Sequence, residues 1–336
     1  MSIVRLPPDV RATRVTTPLT EVHDWSIKAY GIEDAWRENR GTINGKPVRA
    51  AVLDCGIDVR HPDLKDAIHN VKDFSGSMHG WNDGMGHGTW CASMLGARAD
   101  NNLGVAGIAP LCELVICKVL GDSGGGTDEM IYAGLQWALK QGASFFSMSL
   151  GGPQMNSRLR SLCREIVSTP GHFLFAAAGN DGAAVNFPAA WPEFVAVGAV
   201  DKQQKLTEFT SRGPELDVLG PGVDMLGCVP GGYATMSGTS MACPFCCGVG
   251  ILTYAKHAVD PGPTPIRGQA DMLEHLKRHS APLGEYGLID PKKLLADNGG
   301  AKPPAAPGDG GEWGFRGVKV HVPARSGDRV SIGFNW

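Results

Sequence analysis

The sequence predicts an α/β fold of three layers, in which a mostly parallel sheet carries helices on both faces, followed by a small C-terminal β hairpin arm. Strand-like and helix-like segments alternate from about residue 25 to residue 297, as such a sheet requires. The 336 residues include 46 glycines, with 43% hydrophobic and 19% charged residues. These values indicate a globular protein with many tight turns and exclude a disordered or fibrous chain.

The first clear strand pattern ends in a carboxylate, Asp54, which a turn at Gly56 follows. Catalytic and ligand-binding groups of open α/β sheets lie at such strand ends. A helix packed on the sheet is predicted after His87, because small and apolar residues run from Trp90 to Leu95. These small neighbours leave the imidazole of His87 room to reach a partner.

Later segments continue the same alternation. A strand over 175–181 carries Asn180 at its end, where a side-chain amide can donate to a developing oxyanion. The spacing of apolar residues predicts four more helices, over 130–141, 157–168, 271–279 and 291–296.

A serine lies at the start of another predicted helix, in Gly238-Thr239-Ser240. Partial positive charge at a helix N-terminus favours an alkoxide-like nucleophile. Gly-Thr-Ser is also common loop material, so the serine gains its meaning from the residues that precede it. The chain order Asp54, His87, Ser240 supplies an acid to orient, a base to take the proton and a nucleophile, as acyl transfer requires.

These motifs resemble those of the subtilisin-like serine proteases from about Trp25 to Leu295. The connecting segments 118–121, 147–152, 187–189 and 219–222 match as well. The resemblance implies a subtilisin-like fold and a serine endopeptidase. Its catalytic residues would be Ser240 as nucleophile, His87 as general base and then acid, Asp54 as orienting partner, and Asn180 with the Ser240 amide as oxyanion donors.

Two other functions use the same residues. A peptide ligase or macrocyclase would share the triad but must shield its acyl-enzyme from water, and the sequence has no evident inserted lid. An inactive peptide-binding pseudoprotease is the third class, although every triad position is filled here.

The resemblance also implies where a peptide or protein substrate binds. Two segments would sandwich the peptide as an added strand through backbone contacts, which suits broad recognition. They are Gly124, Gly125 and Gly126, and Ser149, Leu150, Gly151 and Gly152. The three glycines suggest an open pocket for the residue four before the cut, or a plain flexible loop. Asn186 matches the base of the pocket for the residue preceding the cut.

Calcium is the cofactor that the resemblance implies, and no organic cofactor is expected. The predicted ligands are Asp63, Asn101, Leu103 and Val105. Carboxylate, amide and carbonyl oxygens suit calcium, although without the ion the same residues would serve as turn and cap formers. A second, weaker cation site would use Glu215 and Asp217, which otherwise form a surface acid pair.

The nine cysteines are odd in number, and two of them are adjacent, so a complete disulfide framework is excluded. Buried thiols are expected instead. Cys243, Cys246 and Cys247 lie in the predicted helix behind the serine, where core packing is favoured over a zinc site because no second ligand pair is near.

Net charge and hydropathy limit the partners and the location. A net charge of -3 gives no reason to expect nucleic acid or an anionic membrane as partner, and no apolar stretch is long enough to span a bilayer. The first 20 residues lack the apolar core of a secretory signal. We expect a cytoplasmic address, or secretion if the start of the chain has been trimmed.

Residues 1–20 are predicted to be a removable inhibitory prosegment of the catalytic domain, 21–297. The segment Ile3-Val4-Arg5-Leu6-Pro7-Pro8 resembles the extension of intracellular subtilisins, in which an apolar residue and proline lie across the active site. Proline has no amide hydrogen and a fixed φ, so it can spoil the strand pairing that cleavage needs. An untethered tail is the alternative.

A Pro/Gly-rich linker over 298–312 precedes the arm, 313–336. Apolar residues alternate in two runs of the arm, Val318, Val320, Val322 and Val330, Ile332, Phe334, which is typical of a hairpin. Two strands do not hold together alone in water. The arm should therefore dock on its own catalytic domain or on a second copy of the chain, which would make a homodimer.

Overall fold

This computed structural model describes residues 3–5, 11–15, 20–261, 264–296, 312–315, 318–321 and 331–334. Contacts divide the chain into two units, 1–296 and 297–336, and each is described by itself.

The helices of the described residues are α1 Trp25–Ala29, α2 Ile32–Glu38, α3 His87–Gly96, α4 Asp128–Lys140, α5 Ser157–Ser168, α6 Thr239–Val259, α7 Gln269–His279 and α8 Pro291–Ala296. The strands are β1 Ile3–Arg5, β2 Arg11–Val15, β3 Thr42–Ile43, β4 Lys46–Pro47, β5 Arg49–Asp54, β6 Ile68–Asp73, β7 Glu113–Lys118, β8 Gly125–Thr127, β9 Phe145–Met148, β10 Phe173–Ala177, β11 Val195–Val200, β12 Val218–Pro221, β13 Met225–Val229, β14 Gly232–Ser237, β15 Ala281–Leu283, β16 Tyr286–Leu288, β17 Glu312–Phe315, β18 Val318–His321 and β19 Ser331–Phe334. Across the described part of the chain, no helix combines the length and the apolar character needed to cross a bilayer.

A nine-stranded sheet forms the centre of the first unit. Its strand order is β15-β16-β12-β11-β10-β9-β5-β7-β6. Neighbouring strands are parallel except at one edge, where β15 and β16 form an antiparallel hairpin. The predicted mostly parallel sheet is confirmed, whereas the edge hairpin was not predicted.

Helices cover both faces of this sheet. Strand β7 displays the arrangement, because successive side chains of a strand point to opposite faces. Leu114 packs against Gly96 of α3, whereas Cys117 packs against Gly134 of α4. Helix α6 packs beside α3 and α5 beside α4, so the predicted three layers are present.

The predicted helix boundaries agree closely with the structure. Helix α5 covers the predicted 157–168. Helix α4 begins two residues before the predicted start, because the Thr127 hydroxyl caps it by accepting the Met130 N–H. Helix α7 also begins early, at Gln269, whose buried side chain bonds to both backbone groups of Leu174 in the central sheet.

The cysteines follow the prediction of buried thiols. All nine are free and buried. Cys246 of α6 fills the space over Gly220 of β12, where an added Cβ would lie 2.6 Å from its Sγ. Burial raises the pKa of the Cys243 thiol to about 12. Within the described residues, none of the predicted cluster's cysteines belongs to a group that could hold a metal ion, which supports core packing.

The second unit contains a three-stranded antiparallel sheet with the order β17-β18-β19. Its β18–β19 pair, with Val318 opposite Phe334, corresponds to the predicted hairpin. The additional strand β17 begins at Glu312, in the predicted linker. A third strand is what a small sheet needs for independent stability. Most of the linker, Val322 and Val330 lie outside the described residues.

Candidate active site

The first candidate pair forms between the end of β5 and the start of α3. Asp54 is the last residue of β5, and His87 is the first residue of α3. Nδ1 of His87 lies 2.9 Å from Oδ1 and 3.0 Å from Oδ2 of Asp54. Both side chains are buried. Because the carboxylate accepts from Nδ1–H, this arrangement leaves Nε2 of His87 to exchange a proton.

The pKa of His87 reflects two opposed effects. Burial alone would lower it, because a buried site disfavours the imidazolium ion. The charge and hydrogen bond of Asp54, with a further contribution from the charge of Asp83, outweigh burial and raise the pKa above the ordinary value of 6.5. The carboxylates therefore stabilise the imidazolium that a general base becomes.

Ser240 enters the same region on the second residue of α6. Its Oγ and the Nε2 of His87 are both buried, and neither has a hydrogen-bond partner among the described residues. Catalytic hydrogen bonds are often incomplete before substrate binds. The two residues lie in the same region, because Cys91 Sγ is 3.8 Å from Nδ1 of His87 and 3.6 Å from the Ser240 carbonyl oxygen.

The start of α6 is held by an unusual set of donors. Pro244 has no N–H, so the Ser240 carbonyl lacks its intrahelical partner four residues on. The Ser149 hydroxyl donates to this carbonyl instead, at 2.8 Å, and the Cys91 thiol lies 3.6 Å away. Ser149, which was predicted to bind substrate, is buried and here fixes the helix turn that carries Ser240.

Asn180, the predicted oxyanion donor, lies beside this turn. Its Oδ1 accepts the Thr239 N–H at 2.9 Å and the Thr239 hydroxyl at 2.8 Å. An added Cβ on Gly238 would lie 3.0 Å from Nδ2 of Asn180. Since the oxygen is bound to Thr239, the amide nitrogen faces the backbone that leads into Ser240.

Asp83 was missed by the sequence analysis. Its Oδ1 accepts the Gly86 N–H at 2.7 Å, and its Oδ2 accepts the N–H and the hydroxyl of Thr89 at 2.8 and 2.7 Å. These groups belong to the first turn of α3, which presents His87. The only available signal was an acidic residue four positions before His87, and that spacing is common at helix starts.

Lys118 was quoted only as part of a matching segment, yet its side chain is fully buried. Its ammonium donates to the Asn82 carbonyl at 3.1 Å and to Oδ1 of Asp122 at 2.9 Å, and it also donates to the Cys55 carbonyl. Cys55 follows Asp54, and Asn82 precedes Asp83. Lys118 therefore ties together the two loops that position the aspartate and the histidine.

The two segments predicted to bind substrate flank a strand of the chain's own N-terminus. Val4 of β1 lies opposite Gly126 of β8 in an antiparallel pair. On the other side, Arg5 exchanges two backbone hydrogen bonds with Gly151, both 3.1 Å long. Val4 is fully buried, whereas Arg5 is exposed. Strand β1 thus has the backbone pairing predicted for a bound peptide.

Other predicted substrate residues have different surroundings. Leu150 is buried, and Gly152 pairs its backbone with Phe187. Gly124 adopts φ +76° at the turn before β8. Asn186 donates to Asp181 at 2.9 Å and lies close to Gly151, whose added Cβ would be 3.4 Å from its own. Its position beside the strand-binding segment is compatible with the predicted pocket base.

A second part of the N-terminal segment, β2, adds to the β13–β14 pair. Arg11 of β2 lies opposite Ser237 of β14, shortly before Ser240. Residues 6–10, which include the predicted Pro7-Pro8 obstruction, lie outside the described residues. The segment is therefore paired at both of its described strands with backbone that adjoins the candidate site.

Three of the predicted calcium ligands, Asn101, Leu103 and Val105, lie in one loop, and the fourth, Asp63, is bound to it. Val105 donates its N–H to Oδ2 of Asp63 at 2.9 Å, and Leu103 donates its N–H to Oδ1 of Asn101 at 2.8 Å. Oδ1 of Asp63 is buried without a hydrogen-bond partner among the described residues. Glu21, which the sequence analysis missed, accepts the Asn101 N–H at 2.9 Å. A buried orphan oxygen and a second carboxylate at the loop fit a hard cation.

The weaker predicted cation site lacks comparable features. Asp217 accepts the Ala196 N–H at 2.9 Å. Neither Glu215 nor Asp217 belongs to the groups of three possible ligand residues found in the described part of the chain. Those two groups are Asp54, His87 and Cys91, and His61, Asp63 and Cys228.

Comparison with known proteins agrees with this geometry. The family model described as the subtilase family, peptidase S8, matches residues 45–305. A subtilisin of Bacillus pumilus is 39% identical over 251 residues, which cover 72% of this chain and 88% of that protein. The major intracellular serine protease of Bacillus subtilis (strain 168) is 35% identical over 285 residues, or 81% of this chain and 85% of that protein.

Subtilisin E of Bacillus subtilis (strain 168) is 39% identical over 220 residues, which are 63% of this chain. The alignment spans 57% of the length of subtilisin E.

Proposed function

This chain belongs to the subtilase family of serine proteases, and on that basis we propose that it is an endopeptidase that hydrolyses peptide bonds through an acyl-enzyme on Ser240. The observation that carries the proposal is the paired contact of His87 Nδ1 with both oxygens of Asp54. It fixes the ring so that Nε2 is the atom available to the nucleophile.

In the first half of the reaction, Ser240 Oγ attacks the peptide carbonyl carbon while His87 Nε2 takes the hydroxyl proton. The carbonyl oxygen becomes an oxyanion, for which the Asn180 amide and the Ser240 N–H are the donors. His87 then gives the proton to the leaving amine, the C–N bond breaks, and an acyl-enzyme remains. Water repeats the steps in the second half and releases the acid.

The test is product mass after incubation with a casein-derived peptide, for wild type and Ser240→Ala. The proposal expects two fragments whose masses sum to the peptide plus one water, from wild type only. Products in which two peptides are joined would identify a ligase. If the folded enzyme lacking residues 1–20 gives no product, the chain is an inactive peptide-binding protein.

We further propose that residues 1–20 inhibit the enzyme until they are cut off by Ser240. The support is that β1 forms hydrogen bonds with both strand-binding segments, as an extended substrate would. Because the strand is tethered, its effective concentration is high, and a free peptide must compete with it. Broad recognition through backbone follows from the same pairing.

Two matched variants of β1 test this inhibition. Val4→Asp places a carboxylate at a buried position, which costs about 1–3 kcal/mol and should raise the initial rate about tenfold or more. Wild type should show a lag before activity, while residues 1–20 are being cut off. Arg5→Gln changes an exposed side chain and should leave this lag unchanged. Equal progress curves for all three proteins, with no loss of N-terminal mass in wild type, would refute the inhibitory role.

Calcium belongs to this proposal as a structural ion held by Asp63, Asn101 and the carbonyls of Leu103 and Val105, with Glu21 beside them. It would supply positive charge that fixes the loop before β7. A weaker cation at Glu215 and Asp217, an intracellular location like that in the name of the Bacillus subtilis relative, and dimerisation through the C-terminal arm stay predictions.

A further inference from the structure

A buried carboxylate that the mechanism does not use lies beside one of the two segments that pair with β1. Asp128 is the first residue of α4 and directly follows β8, whose residues pair with Ile3, Val4 and Arg5. The side chain of Asp128 is 0% exposed. Aspartate is almost never fully buried unless it is paired, so the contacts of this side chain should explain its position.

The contact of Asp128 reaches the other strand-binding segment. Oδ2 of Asp128 accepts the N–H of Asn156 at 3.0 Å. Asn156 follows Gly152 closely in the chain and caps α5, because its Oδ1 accepts the Leu159 N–H at 2.9 Å. The carboxylate therefore ties the start of α4, which follows β8, to the start of α5, which follows the segment 149–152.

This tie lies at the end of the β1 cleft that is away from Ser240. The first residue of β1, Ile3, is opposite Thr127, and Asp128 comes next in the chain. The last residue of β1 makes an antiparallel bridge two residues after Ser149. The chain therefore continues from β1 toward Ser149, whose hydroxyl donates to the Ser240 carbonyl. One end of the cleft is thus held by Ser149 and the other by Asp128.

The second oxygen of the carboxylate shows that the tie costs stability. Oδ1 of Asp128 is buried and has no hydrogen-bond partner within the described residues. An unsatisfied buried polar atom is destabilising, and an apolar residue of similar size would avoid that penalty. The neighbouring Glu129 meets Asn156 through an exposed contact of 3.4 Å between Oε1 and Nδ2. Asp128 therefore gives a buried link between the two segments, whereas Glu129 gives an exposed one.

We propose that Asp128 is a positioning residue, which holds the two strand-binding segments at the spacing that one peptide strand needs. The inference rests on the proposed function, in which an extended substrate takes the place of β1. Segments that flank one strand lie about 10 Å apart, twice the usual spacing of paired strands. A substrate must pair with both segments at once, so a change in their spacing weakens both pairings. A substrate too short to reach the segments does not depend on their spacing.

Substrate length separates positioning from general stability. The full chain is assayed, once its rate is constant, with two esters that end in phenylalanine, a hexapeptide ester and an acetylated single-residue ester. Asp128→Ala should raise the KM of the hexapeptide ester about tenfold and change its kcat less than about twofold, because the lost interaction is one of binding. The single-residue ester should keep both constants within about twofold.

Two further variants identify the contact that matters. Asp128→Asn retains an acceptor for the Asn156 N–H and should restore most of the lost binding of the hexapeptide ester. Glu129→Ala is the matched control, since it removes an exposed carboxylate from the same helix turn, and it should change neither ester. Asp128→Leu is similar in size and also lacks an acceptor, so it replaces Asp128→Ala if that variant does not fold.

Hydrogen exchange tests the same spacing without catalysis. Ser240→Ala cannot cut off its own N-terminal segment, so β1 stays in the cleft. Arg5 and Gly151 donate their N–H groups to each other's carbonyl in this pair. Adding Asp128→Ala should speed exchange of these two N–H groups about tenfold or more, because they become exposed by local opening. The Phe175 N–H in the central strand β10 should exchange at an unchanged rate.

Equal losses for the two esters, or equally faster exchange at Phe175, would show a purely structural role for Asp128 and overturn the proposal. Wild-type kinetics and exchange in a folded Asp128→Ala or Asp128→Leu variant would overturn it as well, and circular dichroism checks the folding. Wild type that hydrolyses neither ester would contradict the proposed function, and the exchange rates at Arg5 and Gly151 would then decide the role of Asp128 by themselves.

Discussion

Two buried centres of this protein are built from the same three residue types and differ in the contacts that their imidazoles make. Asp54 meets His87 and Cys91, while Asp63 meets His61 and Cys228. In the first centre, the imidazole binds the carboxylate through Nδ1 and keeps Nε2 unpaired among the described residues. In the second, Nε2 is bound to a backbone carbonyl.

The comparison teaches that residue type and burial do not decide the role of such a cluster. What decides the role is the partner of Nε2 of each imidazole. In His87 this nitrogen is available to a hydroxyl, whereas in His61 it is bound to a backbone carbonyl. The first centre also has a serine at a helix start, Ser240, and the side-chain amide of Asn180 lies beside it. The following predictions test this difference, beginning with the largest effect.

Removing each histidine gives the largest contrast. His87→Ala should lower kcat by about 10⁶, the loss known for the equivalent change in subtilisin, because no base remains for Ser240. His61→Asn should lower kcat less than about tenfold, since its effect passes only through stability. Hydrolysis of a chromogenic peptide measures both. Comparable losses in the two variants would break the distinction between the centres.

Removing each amide sharpens the same distinction. Asn180→Ala should lower kcat by about 10²–10³ with little change in KM, as the oxyanion-hole asparagine does in subtilisin. Its counterpart near the second centre, Asn101→Ala, should instead reduce thermal stability. Steady-state kinetics and melting curves separate the two. A loss confined to KM in Asn180→Ala would argue against an oxyanion role.

Calcium removal should affect only the second centre. A cation present at 100 times its Kd stabilises the folded state by about 2.7 kcal/mol. Chelation with EGTA should therefore lower Tm by about 5–10 °C for a domain of this size. Asp63→Asn is the control, and its Tm should not respond to calcium. An EGTA effect of equal size in that variant would place the ion elsewhere.

Asp83→Asn should produce a smaller change, in the pH profile. His87 must be neutral to accept a proton, so activity falls as pH drops through its pKa, which lies above the ordinary 6.5. Asp83 contributes to raising that pKa, and its loss should move the acid limb of the kcat/KM profile to lower pH. Profiles of Asp83→Asn and wild type that coincide would contradict this role.

Folding stability should have the opposite pH dependence. A raised pKa of His87 stabilises the protein fully below the unfolded value, and this contribution is lost as pH rises through the folded pKa. Urea unfolding of Ser240→Ala as a function of pH, with and without His87→Ala, measures this contribution. The variant that also carries His87→Ala should lack the decline in stability as pH rises.

The sequence predicted the structural features that depend on residues close together in the chain. The strand ending at Asp54, the helix starting near His87 and the turn before Ser240 are each visible in short segments, and α5 was predicted to the residue. Parallel pairing of buried strands followed from their alternation with helices.

Contacts between distant segments were not predictable. His61 and Cys228 are separated by about half of the 336-residue chain, and β13 had no recognisable pattern of its own. Asp83 and Lys118 act largely through backbone groups of other segments, which leave no mark in the sequence. The backbone contact of Ser149 with substrate stays a prediction, and no sequence pattern indicated that its hydroxyl replaces the hydrogen bond that Pro244 removes from α6. Such roles depend on tertiary packing.

The most direct test of the central claim is labelling with a fluorophosphonate probe, followed by peptide mass spectrometry, in enzyme truncated at Thr20. The account predicts that Ser240 alone is labelled, at similar rates in the truncated enzyme and its His61→Asn variant, and at a negligible rate in His87→Ala. Labelling of Ser240 that is as fast without His87, or none at all in folded enzyme, would contradict it.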